Sequence, residues 1–273
     1  MNLRKTLFIL PSLFTLSSIF CGFYAIVLCL GEPDAEAFYR AALLIVFAMF
    51  FDIVDGRVAR LTKTQSAFGV QIDSLADVVS FGVAPAILVY QWSLDSLGTG
   101  GLVIAFAYLA CGAVRLARFN VLAMNEDGAP KKPGKYILGL PIPGAAGVIV
   151  SLVVANHAVE GSFQRFAPAV ASILITLGFF MISTIRFRSF KELKWGWRTA
   201  AMIGLAVLCS AIVAIQFHPS FALVSLLMCY LALGVAETTF ELSRGLSARA
   251  KSVRAARSAK RAARAAEDEH TDG

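Results

Sequence analysis

The chain has 273 residues, 58% of them hydrophobic and 16% charged, with a mean hydropathy of +0.71, too apolar for an ordinary water-soluble enzyme. The formal net charge is +7, of which +3 belongs to the segment from Gly245 onward. Cys21, Cys29, Cys111, Cys209 and Cys229 are scattered through apolar runs with no Cys-x-x-Cys spacing, which points to neither a disulfide framework nor a zinc site.

A helix needs about 20 apolar residues to cross a hydrocarbon core of ~30 Å. Eight stretches qualify, near 9–30, 38–60, 74–93, 100–120, 137–157, 167–187, 199–217 and 219–241. The first runs on without an A-x-A-like cleavage site, so it reads as a retained span and not as a signal peptide. The expected fold is therefore all-α, a polytopic membrane bundle of about eight transmembrane helices over residues 1–244. With both termini cytoplasmic, 23 of the 25 Lys and Arg fall on the inner side, and only Arg40 and Arg165 on the outer. That is the asymmetry that sets orientation. The expected location is a bacterial cytoplasmic (inner) membrane.

Residues 245–273 form an alanine-rich tail in which Lys251, Arg254, Arg257, Arg261 and Arg264 recur every three or four positions. Such a helix lies along anionic lipid headgroups at ~1 kcal/mol per basic residue, or is a solvated end that serves topology alone. No aromatic residues interleave the basic ones, which argues against nucleic acid as a partner.

The segment FDIVDGRVARLTKTQSAFGVQIDSLADVVSFGVAPA carries four aspartates beside or within apolar helix. Asp52 and Asp55 are i,i+3 at the inner end of the second span; Asp73 and Asp77 are i,i+4 at the inner start of the third. Each pair therefore shares one helix face, and a turn around Thr62 to Phe68 brings the pairs together. Each carboxylate would cost ~2.5–3.5 kcal/mol at a bilayer centre and less near the interface. Positive charge must therefore sit among them. Interhelical salt bridges to Arg57 and Arg60 are one source. Oxygen ligands without nearby His or Cys suit hard divalent cations, Mg²⁺, Mn²⁺ or Ca²⁺; two would balance four carboxylates, and paired ions suit phosphoryl displacement. Gly56 and Ala59 leave a smooth strip on the acidic helix, and Gly69 is expected where the chain turns back; close helix packing would also explain small residues.

The pattern Asp52-x2-Asp55-Gly56-x2-Ala59-Arg60-x8-Gly69-x3-Asp73-x3-Asp77 resembles the signature of the CDP-alcohol phosphotransferases, membrane enzymes in which an alcohol displaces CMP from a CDP-linked donor. The likeness extends to RKTLFILPSLFTLSSIFCGFYA, ACGAVRLARFN, GLPIPGAA and ISTIRFRSFK. It is nearest to members that pass a phosphatidyl group from CDP-diacylglycerol to L-serine. One departure is Ser12 after Pro11, where relatives carry Asn; Thr15 still matches.

The resemblance implies that Asp52, Asp55 and Asp73 hold two divalent cations, Mg²⁺ or Mn²⁺, and that Asp77 ligates one and acts as general base. It implies that Thr15, Gly56, Ala59, Arg60 and Gly69 serve the cytidine diphosphate donor, that the site faces the cytoplasm beside membrane lipids, and that the protein is a homodimer. A serine hydroxyl is a poor nucleophile and needs a carboxylate to take its proton. Arg118 and Asn120, at the inner end of the fourth span, are candidate contacts for the acceptor. Glycerol 3-phosphate, inositol or inositol phosphate as acceptor, and a divalent-cation transporter, are the competing readings. No His-x-Lys pair and no GxxxxGK[ST] loop occurs, so neither a histidine-nucleophile route nor a P-loop is expected.

Overall fold

The computed structural model describes residues 3–62, 66–123, 136–183 and 186–188, together with isolated helical positions 208, 210 and 212. Helix α1 (Leu3–Leu28) is followed by α2 (Ala35–Leu61). Asp34 starts α2 by accepting the N–H of Ala37 on Oδ1 at 2.7 Å, satisfying one of the free donors of a helix N-terminus. Helix α3 (Ala67–Asp77) runs without a break through a π-helical turn, Val78–Val83, into α4 (Ala84–Trp92). Helix α5 (Thr99–Ala123) precedes strand β1 (Tyr136–Leu138), α6 (Ile142–Ala158), α7 (Ala167–Ile182) and strand β2 (Arg186–Arg188). Apart from the ribbon that β1 and β2 form, with Ile137 opposite Phe187, the regular structure among the described residues is helical.

The first four expected spans coincide with α1, α2, α3 to α4, and α5. The fifth and sixth are shorter than apolarity alone suggests. Pro141 is the N-cap of α6 and Pro143 sits in its first turn, where a missing N–H costs nothing; the prolines mark the start of the helix and do not kink it. Residues 137–141 are thus strand and connection. At the far end, α7 stops at Ile182 and Arg186 belongs to β2. The expected spans at 199–217 and 219–241 lie outside the described residues except at positions 208, 210 and 212. Among the described residues, three helices, Ala35–Ala59, Phe68–Trp92 and Thr99–Leu122, are long and apolar enough to cross a membrane, and Leu13–Leu28, Ile142–Ala158 and Ala167–Ile182 are shorter apolar helices.

Small residues are prominent in the interior beside Phe81, Leu88 and Tyr108, and many large apolar side chains lie on the outside. Ala25, Cys29, Ala41, Ala42, Ala48, Ala84, Ala145 and Ala146 are buried, whereas Phe20, Phe106 and Phe179 are 64–66% exposed. Lipid tails are as apolar as leucine, so helices gain little by hiding large side chains from them and associate through small residues that let backbones approach. Long apolar helices with large apolar side chains on the outside are those of an integral membrane protein. Helix α1 packs along α2 and against the π-helical turn. There Ser80 Oγ donates to the carbonyl of Ser18 at 2.9 Å, and Ser18 Oγ to that of Ala48 at 3.2 Å. A Cβ on Gly22 would lie 2.8 Å from Ser80 Cα, closer than atoms can pack.

The end of α7 is held by three donors. Leu140 N–H reaches the carbonyl of Phe180 at 3.0 Å, after a turn at Gly139 with φ +74°. The Arg118 guanidinium donates to Ile182 O at 2.8 Å and to Ser183 O at 3.3 Å. At a helix C-terminus such carbonyls lack intrahelical N–H partners, and that of Phe180 also accepts from Ser183 Oγ at 2.9 Å.

Gly22→Ala should lower stability by about 1–3 kcal/mol, the usual cost of overpacking a close contact. A drop of several degrees in the heat-unfolding midpoint in detergent is the expected reading, and an unchanged midpoint would refute the close approach of α1 to the π-helical turn.

Candidate functional site

The four aspartates come from two helices joined by a short connection. Helix α2 ends with Thr62, whose N–H and Oγ1 both reach the carbonyl of Val58, at 2.9 and 2.7 Å. Helix α3 opens with Ser66 as its N-cap, the side chain accepting the N–H of Gly69 at 2.9 Å. Gly69 therefore occupies the first turn of α3 and not the turn between the helices. Asp52 and Asp55 lie on the last turns of α2, with Gly56 and Ala59 beyond them, and Asp73 and Asp77 on the last two turns of α3.

The pairs converge as the spacing requires. Asp52, Asp55 and Asp73 each offer one carboxylate oxygen within 4.8 Å of the others. The fourth carboxylate, Asp77, stands close to the charges of Asp52, Asp73 and Arg115. Its Oδ1 is buried and makes no hydrogen bond. Anionic groups this close repel unless positive charge stands between them. The buried Arg115 supplies one such charge. A set of oxygen-only donors with an unused buried carboxylate oxygen fits a hard divalent cation, and the residues present are a suitable site for one.

Other side chains support the carboxylates. Thr15 and Asp55 are each 5% exposed, and Thr15 Oγ1 donates to Asp55 Oδ2 at 2.7 Å. Thr15, expected at the donor nucleotide, thus fixes the rotamer of an aspartate. Asn120 Nδ2 donates to Ser74 Oγ at 2.8 Å, tying α5 to α3 beside Asp73. Arg118 is engaged with the end of α7. Arg60 lies on the last turn of α2, and its side chain is outside the described residues. Sequence reasoning missed the Thr15–Asp55 bond and the role of Asn120 between helices; neither has a spacing signal, because the partners are 40 and 46 residues apart.

The opposite end of α2 carries different chemistry. Glu36 pairs with Arg40 at 2.9 Å and lies 3.6 Å from His157 Nε2, and His157 stacks on Tyr39 with ring centroids 4.4 Å apart. At 1.5 Å per residue, Glu36 and Asp55 are about 28 Å apart along the helix, so the histidine is remote from the aspartates.

Outer hydrogen bonds to metal-ligating groups are commonly worth 10–100-fold in metal affinity. Thr15→Val, which keeps the shape and removes the donor, should weaken Mn²⁺ binding by about tenfold, with Thr15→Ser close to wild type. Titration followed by the electron paramagnetic resonance of free Mn²⁺ checks this, and equal affinity in Thr15→Val would remove the role assigned to the bond.

Comparison with known proteins agrees with this chemistry. The chain is 38% identical over 200 residues to CDP-diacylglycerol–serine O-phosphatidyltransferase of Helicobacter pylori, covering 72% of this chain and 79% of that one. It is 33% identical over 183 residues to the protein of the same name from Bacillus subtilis, covering 67% and 92%. The Saccharomyces cerevisiae protein of that name is 40% identical over 145 residues, 50% and 51% of the two chains. Residues 8–171 match the CDP-alcohol phosphatidyltransferase family, a stretch that begins in α1, contains all four aspartates and ends in α7, and the chain belongs to that family.

Proposed function

We propose that this protein transfers the phosphatidyl group of CDP-diacylglycerol to the hydroxyl of L-serine, giving phosphatidylserine and CMP. The observation that carries the reading is the convergence of Asp52, Asp55 and Asp73 beside Asp77, whose Oδ1 is buried, in a chain whose similar proteins bear that activity in their names. Asp52, Asp55 and Asp73 would hold two divalent cations, Mg²⁺ or Mn²⁺, with Asp77 a further ligand to one. Bound there, the cations supply positive charge to the donor phosphates and the departing CMP.

The chain's own groups do the rest. Asp77 Oδ1 takes the proton of the serine hydroxyl as its oxygen attacks the lipid-bearing phosphorus and the bond to CMP breaks. Gly56, Ala59 and Gly69 leave room for the cytidine diphosphate, with Arg60 bracing it or the acidic cluster. Thr15 keeps Asp55 turned inward. Arg118 and Asn120 stand near the acceptor side; their present bonds to α7 and α3 make them framing residues that a serine carboxylate approaches. We place the site on the cytoplasmic side of an inner membrane, in a domain of residues 1–244 with eight spans and both termini inside, followed by the basic tail 245–273, and we take the working unit to be a homodimer.

CMP release from CDP-diacylglycerol in detergent micelles should require both serine and an added divalent ion, and chelation should abolish it. Release with glycerol 3-phosphate or inositol but not with serine would overturn the acceptor. Asp77→Asn should retain most donor binding and lose turnover by a factor of about 10²–10⁴, the range for a general base; near-normal turnover would reject Asp77 in that role.

A further inference from the structure

The helix that carries Asp73 and Asp77 changes its winding directly after Asp77. Residues Val78–Val83 form a π-helical turn, and Ala84 N–H bonds to the carbonyl of Val79, five residues back. Pro85 follows in the first turn of α4. Proline has no N–H, so in a continuous α-helix the carbonyl four residues earlier, that of Phe81, is left without its donor, and the ring presses against it. A wider turn relieves that pressure. The carbonyl still needs a donor, because Phe81 is fully buried. Tyr108, on α5 and 1% exposed, provides it, its hydroxyl donating to Phe81 O at 3.0 Å. From the other side, Ser80 Oγ donates to Ser18 O on α1.

The winding matters for the site because of phase. Each α-helical residue advances by about 100°, so one residue more or fewer accommodated in a turn rotates everything before it by about 100° relative to everything after it. Helix α4 is packed into the body by the buried Leu88, Val89 and Trp92. The π-helical turn therefore decides whether Asp73 and Asp77 face Asp52 and Asp55 or point away.

We propose that Tyr108 is a positioning residue for the acidic centre: by donating to the carbonyl that Pro85 leaves open, it holds the π-helical turn and so the rotation at which Asp73 and Asp77 meet the aspartates of α2. Ser80 pins the same turn to α1. The proposal rests on the reading of the aspartates as a cation site, but not on serine as acceptor.

The test is Mn²⁺ binding to the purified full-length protein in detergent, which needs no substrate. Tyr108→Phe deletes the hydroxyl and keeps the ring; it should weaken Mn²⁺ by about tenfold, the low end of what supporting residues contribute to metal sites. The Mn²⁺ concentration for half-maximal CMP release should rise in step while the KM for serine stays put, a split that general loosening of the bundle would not produce. Ser80→Ala should act in the same direction, and decides by the same titration if Tyr108→Phe does not fold. Ser151→Ala is the control: Ser151 Oγ is fully buried and donates to Val148 O within α6, away from the turn, and its loss should leave Mn²⁺ affinity unchanged. Wild-type affinity in both folded variants, an equal loss in Ser151→Ala, or no Mn²⁺ bound by the wild type would overturn the proposal. A wild type that binds Mn²⁺ but releases no CMP with serine defeats the functional reading alone.

Discussion

Negative charge held in a poor dielectric governs this molecule. Four carboxylates gathered at one end of a helix pair repel each other more strongly than they would in bulk water, because Asp55 is buried and Asp52, Asp73 and Asp77 are only partly exposed to solvent. The arrangement persists only where compensating groups are built in. Arg115 brings a buried positive charge to Asp77, Thr15 gives its hydroxyl proton to Asp55, and the oxygens of Asp52, Asp55 and Asp73 stand close enough to share a cation. The acids sit within the apolar helices Ala35–Ala59 and Phe68–Trp92, where such compensation is needed most.

Bringing carboxylates from different helices into reach requires the backbones to approach closely. Gly22 against Ser80 and the alanines of α2 and α6 serve that need. Serine hydroxyls then bond across the narrow gaps, Ser18 to Ala48 and Ser80 to Ser18, so the framework that carries the acids is fastened by short polar contacts in an apolar setting, where each hydroxyl has few competing partners. Fold and site are thus not separable layers: the contacts that fasten α1 to the π-helical turn lie within one helical turn of Asp77.

Much of this was legible in the residues alone. Asp52 and Asp55 at i,i+3, and Asp73 and Asp77 at i,i+4, determine a face on each helix, and the short connection leaves the two faces little choice but to meet. The first four helices were legible from their long apolar runs, which have one stable solution in a bilayer. The ends of α6 and α7 were less so: Tyr136–Leu138 and Arg186–Arg188 are three-residue strands whose pairing depends on a partner about 50 positions away, and Tyr-Ile-Leu is as apolar as any helix start. Pro141 and Pro143 held the clue, as helix-starting residues. Thr15 was singled out by resemblance, and Arg118 and Asn120 by their place at the end of the fourth span, but what each one bonds is decided in three dimensions. Pro85 was the visible sign of the altered winding after Asp77, whereas the answering hydroxyl of Tyr108 left no trace in any local pattern.

The large apolar side chains on the outside, and the small ones where helices meet, have a consequence for how such a chain can change over generations. In a water-soluble domain, bulky interior residues are guarded and the perimeter drifts. Here phenylalanines and leucines on the perimeter meet fluid acyl chains that conform to any outline, so one large apolar group can replace another there at little cost. Inside, where alanine and glycine set the distance between helix axes, even one added carbon has nowhere to go. The slowly varying part of this protein should therefore be its smallest residues.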